Sequence, residues 1–364
     1  MLSRLERAPR DGRRVNGREK ETVITLLRFV VTAIALMAGA AGAERAAAGT
    51  TLDAIMKRGV VRCGVAPDTP GFSTVDAQGV RRGFDVDMCR AIAAAMFGDA
   101  DKVKFVPTTT RTRFTALRSG EVDVLSRMTS WSLKRNSALA LSFPAITFYD
   151  GTGFVVPRKL AITSARQLDG ARVCLQPNTT TEQVVSEYFR HNGMKFTAVV
   201  IEQASDMAAA YLAGRCDTYA NDRSSLAAIR ARSGDPENHL VLPELISKEP
   251  LAVAVRKGDE EWADIVRWAI FATIEAEELG VTSANVDAML ASDDPDVKLL
   301  LGVTPGNGRS LGLNDRWAFD IVKQVGNYAE IHDRHLGPAT ALRLERGLNA
   351  LWNRGGLLYA PPMR

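Results

Sequence analysis

Ser126-Arg127-Met128-Thr129-Ser130-Trp131-Ser132-Leu133-Lys134-Arg135 and Gln176-Pro177-Asn178-Thr179-Thr180-Thr181-Glu182 are the two stretches whose reading decides this chain. Each follows a short apolar strand and reads as a turn that presents hydroxyls, backbone N–H groups and a charge. An arginine after a hydroxyl-rich loop suits a carboxylate, because guanidinium is a planar fork of donors. A threonine-rich turn that opens a helix adds donors for the same anion. Together they point to a capture site for a small zwitterion, set between two lobes.

The segments around them set the fold. Residues 60–65 read as a buried strand, and 67–83 as a Pro/Gly/Asp loop. A helix follows with Asp85 as its N-cap, Val86, Cys89, Ala93 and Met96 at helical spacing, and Gly98 as its stop. Residues 103–107 and 122–126 read as strands, with a short helix over 113–119 closed by Gly120. The order then recurs: strand 171–175, helix 181–192 stopped by Gly193, strand 197–201, helix 205–213 stopped by Gly214, strand 216–220. Both halves carry a helix, a glycine, two residues, an aspartate and an apolar strand, at Gly120/Asp123 and Gly214/Asp217. This alternation predicts an α/β fold of two lobes, each a mostly parallel sheet with crossover helices. Ligands bind such sheets beyond the carboxyl ends of the strands.

Phe148-Tyr149-Asp150-Gly151-Thr152-Gly153 reads as one crossing between lobes, and Ser247-Lys248-Glu249-Pro250 as a second. The expected division is residues 49–150 in the first lobe, 151–248 in the second, and 249–364 as a return to the first with a C-terminal helical extension. A strand over 251–255 and a long helix over 262–279 begin that return, and 315–329 and 339–352 read as further helices. Two crossings make a hinged clamp.

The 364 residues carry 46% hydrophobic and 24% charged residues, as a soluble globular chain does. An arginine-rich start, an apolar run from Phe29 and the tripeptide Ala41-Gly42-Ala43 form the pattern of a secretory signal. Cleavage is expected after Ala43, with Ala48 the second choice and an uncleaved anchor the alternative. The long basic start is also compatible with a true start downstream of Met1. Residues 1–43 hold eight of the 46 basic and four of the 42 acidic residues, which leaves 38 of each. The formal charge of +4 therefore belongs to the leader, and the rest gives no reason to expect nucleic acid or an anionic membrane as partner. The four cysteines lie beyond the leader, where an even count in an exported chain favours disulfides. Cys63 with Cys89 and Cys174 with Cys216 would staple one lobe each; four buried thiols are the alternative.

The stretches RGFDVDMCRAIAAAMFGD, RFTALRSGEVDVLSR, FYDGTGFVV, AGRCDTYAND and VLPELISKEPLAVAVRKGD resemble the periplasmic amino-acid-binding proteins of ABC importers. The ending LGPATALRLERGLNALWNRGGLLYAPPMR resembles the general L-amino-acid binders among them. The resemblance covers nearly all of the chain past the leader. It implies the type II periplasmic-binding-protein fold with a two-strand hinge, and a periplasmic monomer that delivers L-amino acids to an inner-membrane permease without a cofactor. By position it implies that Arg135 pairs with the ligand α-carboxylate beside Ser130, and that Thr180 and Thr181 close on it. It implies Asp222 for the α-ammonium, Met128 for a contact to the same group through its carbonyl, and Thr69 over the ligand side chain. Arg113 corresponds to an arginine that reaches the side-chain carboxylate in binders of acidic amino acids. Met128, Asn178 and Thr69 depart from the usual short polar residue, glycine and aromatic or apolar residue.

Plainer roles stand beside these. Arg135 reads equally as a solvated helix residue, Asp222 as a helix N-cap, and Arg113 as a partner of Glu121. Arg127 lines the cleft or braces the loop, and Trp131 reads as packing. His332 and His335 lack a third ligand for a metal and read as solvated residues. No nucleophile elbow, phosphate loop or dinucleotide fingerprint occurs, so no catalytic residue is assigned. A periplasmic lyase or dehydratase, or a ligand-sensing module, on the same fold are the alternatives.

Overall fold

The structure, a computed structural model, describes residues 50–364. The expected leader lies outside them. The strands are β1 (Val61–Val65), β2 (Thr74–Val75), β3 (Arg81–Arg82), β4 (Val103–Pro107), β5 (Val124–Ser130), β6 (Leu141–Ser142), β7 (Ile146–Asp150), β8 (Thr152–Pro157), β9 (Arg172–Leu175), β10 (Thr197–Val200), β11 (Thr218–Asp222), β12 (His239–Val241) and β13 (Glu249–Arg256). They build two mixed sheets and a small β2–β3 ribbon. The first sheet has the order β4-β1-β5-β13-β6, with β7 also paired to β13. Its β4, β1 and β5 are parallel, and β13 runs against its neighbours. The second sheet has the order β10-β9-β11-β8-β12, parallel in its first three strands and antiparallel beyond.

The chain leaves the first sheet at Asp150 and enters the second at Thr152. It returns at Glu249, which stands opposite Asp150 in the ladder. These two antiparallel crossings are the hinge. The aspartate repeat has one job in both halves. Asp123 accepts from Arg62 N at 2.7 Å and Asp217 from Arg172 N at 2.8 Å, so each fixes the register where two parallel strands start. Cys63 of β1 is bonded to Cys89 of the helix above it, with Cα atoms 6.2 Å apart. Cys174 of β9 is bonded to Cys216, just before β11, at 5.6 Å.

The helix Phe84–Phe97 is buried almost all round, because it lies between the first sheet and the helices Glu260–Glu278 and Trp317–Gln324. Its start corrects one expectation. The N-cap is Gly83, not Asp85. At a φ of 140° Gly83 passes so close to Phe72 that a Cβ there would lie 2.2 Å from the Phe72 carbonyl oxygen. The carbonyls of Gly71 and Phe72 take the first free amides, Phe84 N and Asp85 N, and leave the Asp85 side chain to other work.

The C-terminal segment corrects three more. The expected helix over 315–329 is two, Trp317–Gln324 and Tyr328–His335, because Gly326 and a capping box of Asn327 with Glu330 restart the chain. Residues 339–352 form turns and short 3-10 pieces rather than a helix. Asn349 in that stretch accepts from Tyr149 N and donates to Tyr149 O, which holds the segment against β7. His332 is buried, stacked on Phe148, and His335 bonds Asp87 at 2.6 Å; neither is solvated. Among the described residues no cluster could hold a metal ion, and no helix is long and apolar enough to cross a membrane.

Candidate functional site

A cleft of about 1040 Å³, counted to its open mouth, lies where the strand ends of the two sheets face each other. The stretch from Ser126 to Ser130 is not a turn. It continues β5, because β13 pairs with it through Leu251 opposite Ser130 and Ala252 opposite Thr129. The ladder shifts register between Ala252 and Ala254, and Met128 takes a φ of 42°. Asp85 pins this irregular strand. Its carboxylate accepts from Ser126 Oγ at 3.2 Å and from Met128 N at 3.1 Å. Burial pushes its pKa up to about 7 despite these bonds and the nearby Arg127.

Ser132 then caps a short helix, Leu133–Ser137, that carries Arg135 into the cleft. Arg135 Nη1 donates to Ser130 O at 2.8 Å, and its guanidinium lies over the Phe114 ring. Arg113 stacks on the same ring and reaches Asn178 O in the opposite lobe at 3.5 Å. Arg113 does not pair with Glu121, is 3% exposed, and its Nε has no partner among the described residues. Arg127 both lines the cleft and braces a loop, donating to Thr108 O at 2.7 Å. Among the described residues, the side-chain hydrogen bonds of all three arginines go to backbone carbonyls alone. Burial lowers the pKa of each, Arg127 to about 10 and Arg113 well below the usual range. Their mutual repulsion adds to the effect in Arg113 and Arg127. Asp85, Asp222 and Glu249 offset these charges in part, but among the described residues none is bonded to them, and an anion would supply that partner.

The second lobe brings the helix Thr180–His191, capped by Thr179, whose Oγ1 accepts from Glu182 N at 3.1 Å. Asn178 before it has a φ of 60°, a conformation asparagine tolerates. Thr180 Oγ1 lies 3.3 Å from Ser130 Oγ across the cleft, and Thr181 is buried in the wall. Asp222 ends β11 beside them. It stands at the N-cap position of the next helix but makes no capping bond, since Ser224 N donates to Asp150 instead. Among the described residues nothing donates to its carboxylate, which is 7% exposed. Burial, then the carboxylates of Asp150 and Glu249, raise its pKa well above the usual range, against the pull of Arg135 and Arg113. The cleft thus offers one end to an anion and the other to a cation. Thr69 lies in the wall, and Met128 Sδ meets Ser225 Oγ of the second lobe at 4.0 Å. Trp131 packs, stacked on Phe143. Asp68 and Arg232 pair in a double hydrogen bond across the rim, at 2.9 and 3.0 Å.

Residues 61–284 match the family described as bacterial extracellular solute-binding proteins, family 3. The chain belongs to that family. This solute-binding protein is 48% identical over 341 residues to the general L-amino acid-binding periplasmic protein AapJ of Rhizobium johnstonii, covering 93% of this chain and 99% of the relative. It is 46% identical to the glutamate/glutamine/aspartate/asparagine-binding protein BztA of Rhodobacter capsulatus, covering 92% and 97%. A solved periplasmic binding protein of an ABC transporter from Brucella ovis, with glutathione bound, superposes with a TM-score of 0.84 at 48% identity, covering 86% of this chain and 99% of that one. The two-lobe α/β fold is the one these proteins share.

Every residue singled out from the sequence for ligand contact lines this solute-binding protein's cleft. Sequence reasoning missed Asp85, Asp150, Glu249 and the Asp68–Arg232 pair. Asp85 stood in a good capping position, and only the third dimension shows it turned toward β5. A raised carboxyl favours the folded state while protonated, and that contribution is lost as pH climbs from the ordinary carboxyl value through about 7. Asp85→Asn keeps an acceptor for Met128 N without the charge. Urea unfolding of both proteins between about pH 4 and 8 should therefore show the variant gaining on wild type as pH rises. The gain should reach a few kcal/mol, because each tenfold change in proton affinity is worth about 1.4 kcal/mol. Parallel pH curves would contradict the role given to Asp85.

Proposed function

We propose that this chain is a periplasmic receptor for L-amino acids, exported with residues 1–43 removed, which works as a monomer and hands its ligand to an inner-membrane ABC permease. The observation that carries the reading is the pairing of unmet charges in one cleft: among the described residues nothing donates to the Asp222 carboxylate, and the arginines it faces bond backbone carbonyls alone. A zwitterion satisfies both at once, and buried charges are tolerable only when paired and hydrogen-bonded. The names of the relatives point the same way.

In this reading Arg135 and Ser130 take the α-carboxylate, and the Thr180–Thr181 turn closes on it. Asp222 takes the α-ammonium, with the Met128 carbonyl as second acceptor. Thr69 covers the side chain and Arg113 reaches its far end. The lobe boundaries at 150/151 and 248/249 let the second lobe swing about the paired crossings. Ligand charges bound to one lobe then favour the closed form by attracting the other. In this reading zwitterion binding accounts for Asp222 and Arg135, and no catalytic role is assigned.

Two substitutions test the charge pairing. Arg135→Ala should abolish amino-acid binding by calorimetry, a loss of about 2–5 kcal/mol or more for a buried charged pair. Asp222→Asn should weaken an amino acid far more than its deaminated analogue, because only the ammonium loses its counter-charge. Equal losses for the two ligands would argue against the assignment of Asp222.

Arg113 sets the preference among side chains. Its unpartnered Nε and depressed pKa favour a second ligand carboxylate, while water can replace that group for other side chains. Arg113→Ala should weaken glutamate by roughly 1–3 kcal/mol and leave leucine nearly unchanged. A similar loss for both ligands would place Arg113 at the α-carboxylate instead.

A further inference from the structure

The hydroxyl proton of Thr180 is already in use. Thr180 Oγ1 donates to Glu249 Oε2 at 2.8 Å. Thr180 then offers lone pairs alone to Ser130 Oγ at 3.3 Å, and Ser130 donates to it. The other oxygen of Glu249 accepts from Ser247 Oγ at 2.7 Å and from Thr152 Oγ1 at 3.3 Å. Thr152 belongs to the first crossing and Ser247 to the second, and Thr152 N donates to Ser247 Oγ at 3.2 Å. Glu249 is 2% exposed. One buried carboxylate therefore ties both crossings to the first residue of the helix that closes over the cleft.

We propose that Glu249 is a positioning residue for closure, and that the Thr180 hydroxyl acts through Glu249 and not on the ligand. This rests on the amino-acid receptor reading and changes one role within it. On binding, the Ser130 hydroxyl leaves Thr180 and turns to the ligand carboxylate, which Arg135 and N–H groups at the helix start also meet. The Thr180–Glu249 bond forms only when the second lobe reaches the hinge. It stabilises the closed form whatever the ligand side chain, so its loss accelerates ligand release more than it slows capture.

A double-mutant cycle on the full protein tests this, with stopped-flow release of L-glutamate and of L-alanine. Thr180→Val and Glu249→Ala should each speed release about ten- to a hundredfold, as expected for a hydrogen bond to a charged group. The double variant should be no more than about twofold faster than the faster single, because both remove the same bond. Glu249→Gln should stay within about threefold of wild type, since its amide N–H can donate to Thr180 Oγ1 while its carbonyl accepts from Ser247. Single effects that multiply in the double variant would show the hydroxyl serving the ligand and overturn the proposal. Unchanged singles, or a Gln variant as fast as the Ala variant, would overturn it too. Solution X-ray scattering of unliganded Thr180→Val decides the matter should Glu249→Ala fail to fold. A more open ensemble than wild type supports the proposal, and an identical one overturns it. A wild-type protein that retains no amino acid would refute the receptor reading, and the scattering comparison would still decide the role of Glu249.

Discussion

Three guanidinium groups buried in one cleft, with no carboxylate among the described residues bonded to any of them, form the constraint on which the rest of this structure depends. Burying one charge without a partner is costly, and burying three close together adds repulsion. The chain could have neutralised them with its own acids. Asp222 is near enough to offset Arg135 and Arg113, yet it forms no hydrogen bond with either. Each arginine is instead held by one backbone carbonyl, which fixes its direction without cancelling its charge. An unpaired dipolar cleft of this kind is what selective capture of a zwitterion needs.

Holding those charges apart requires stiff supports. The three arginines sit on β5 or on the helices Arg113–Ser119 and Leu133–Ser137 that flank it, and two share the Phe114 ring as a platform. Asp85 bonds the strand where Met128 adopts its unfavourable φ, so the bulge that aims this region is fixed from inside the core. The disulfides brace each sheet separately, and neither links the two. Among the described residues the halves are joined by the paired crossings and by side-chain contacts such as Asp68 with Arg232 and Thr180 with Glu249.

Much of this was legible because the signals were local. Gly98 and Gly120 stop helices in the left-handed conformation, and Asp123 and Asp217 mark the starts of equivalent strands. Arg135, Asp222 and the threonine turn stood out because hydroxyls and charges directly follow apolar strands. What escaped depends on distant partners. Residues 126–130 looked like a turn because β13, which makes them a strand, lies more than a hundred residues on. The stretch 339–352 has helical spacing, but Asn349 finds Tyr149 200 residues away. Glu249 reads as an ordinary charge in a crossing, and nothing near it in sequence reveals Thr180, 69 residues earlier.

The central claim is that the cleft is completed by the charges of a free L-amino acid. The most direct measurement is a thermal-unfolding screen of the protein, refolded to remove any carried ligand, against each of the twenty amino acids. A ligand that binds only the native state stabilises it by about 2.7 kcal/mol at a hundredfold excess over its Kd, which raises the midpoint by several degrees. The account predicts such a rise for several L-amino acids, largest for acidic side chains, and none for their α-deaminated analogues at equal concentration. A midpoint that no L-amino acid moves, or that the analogues raise equally, would contradict it.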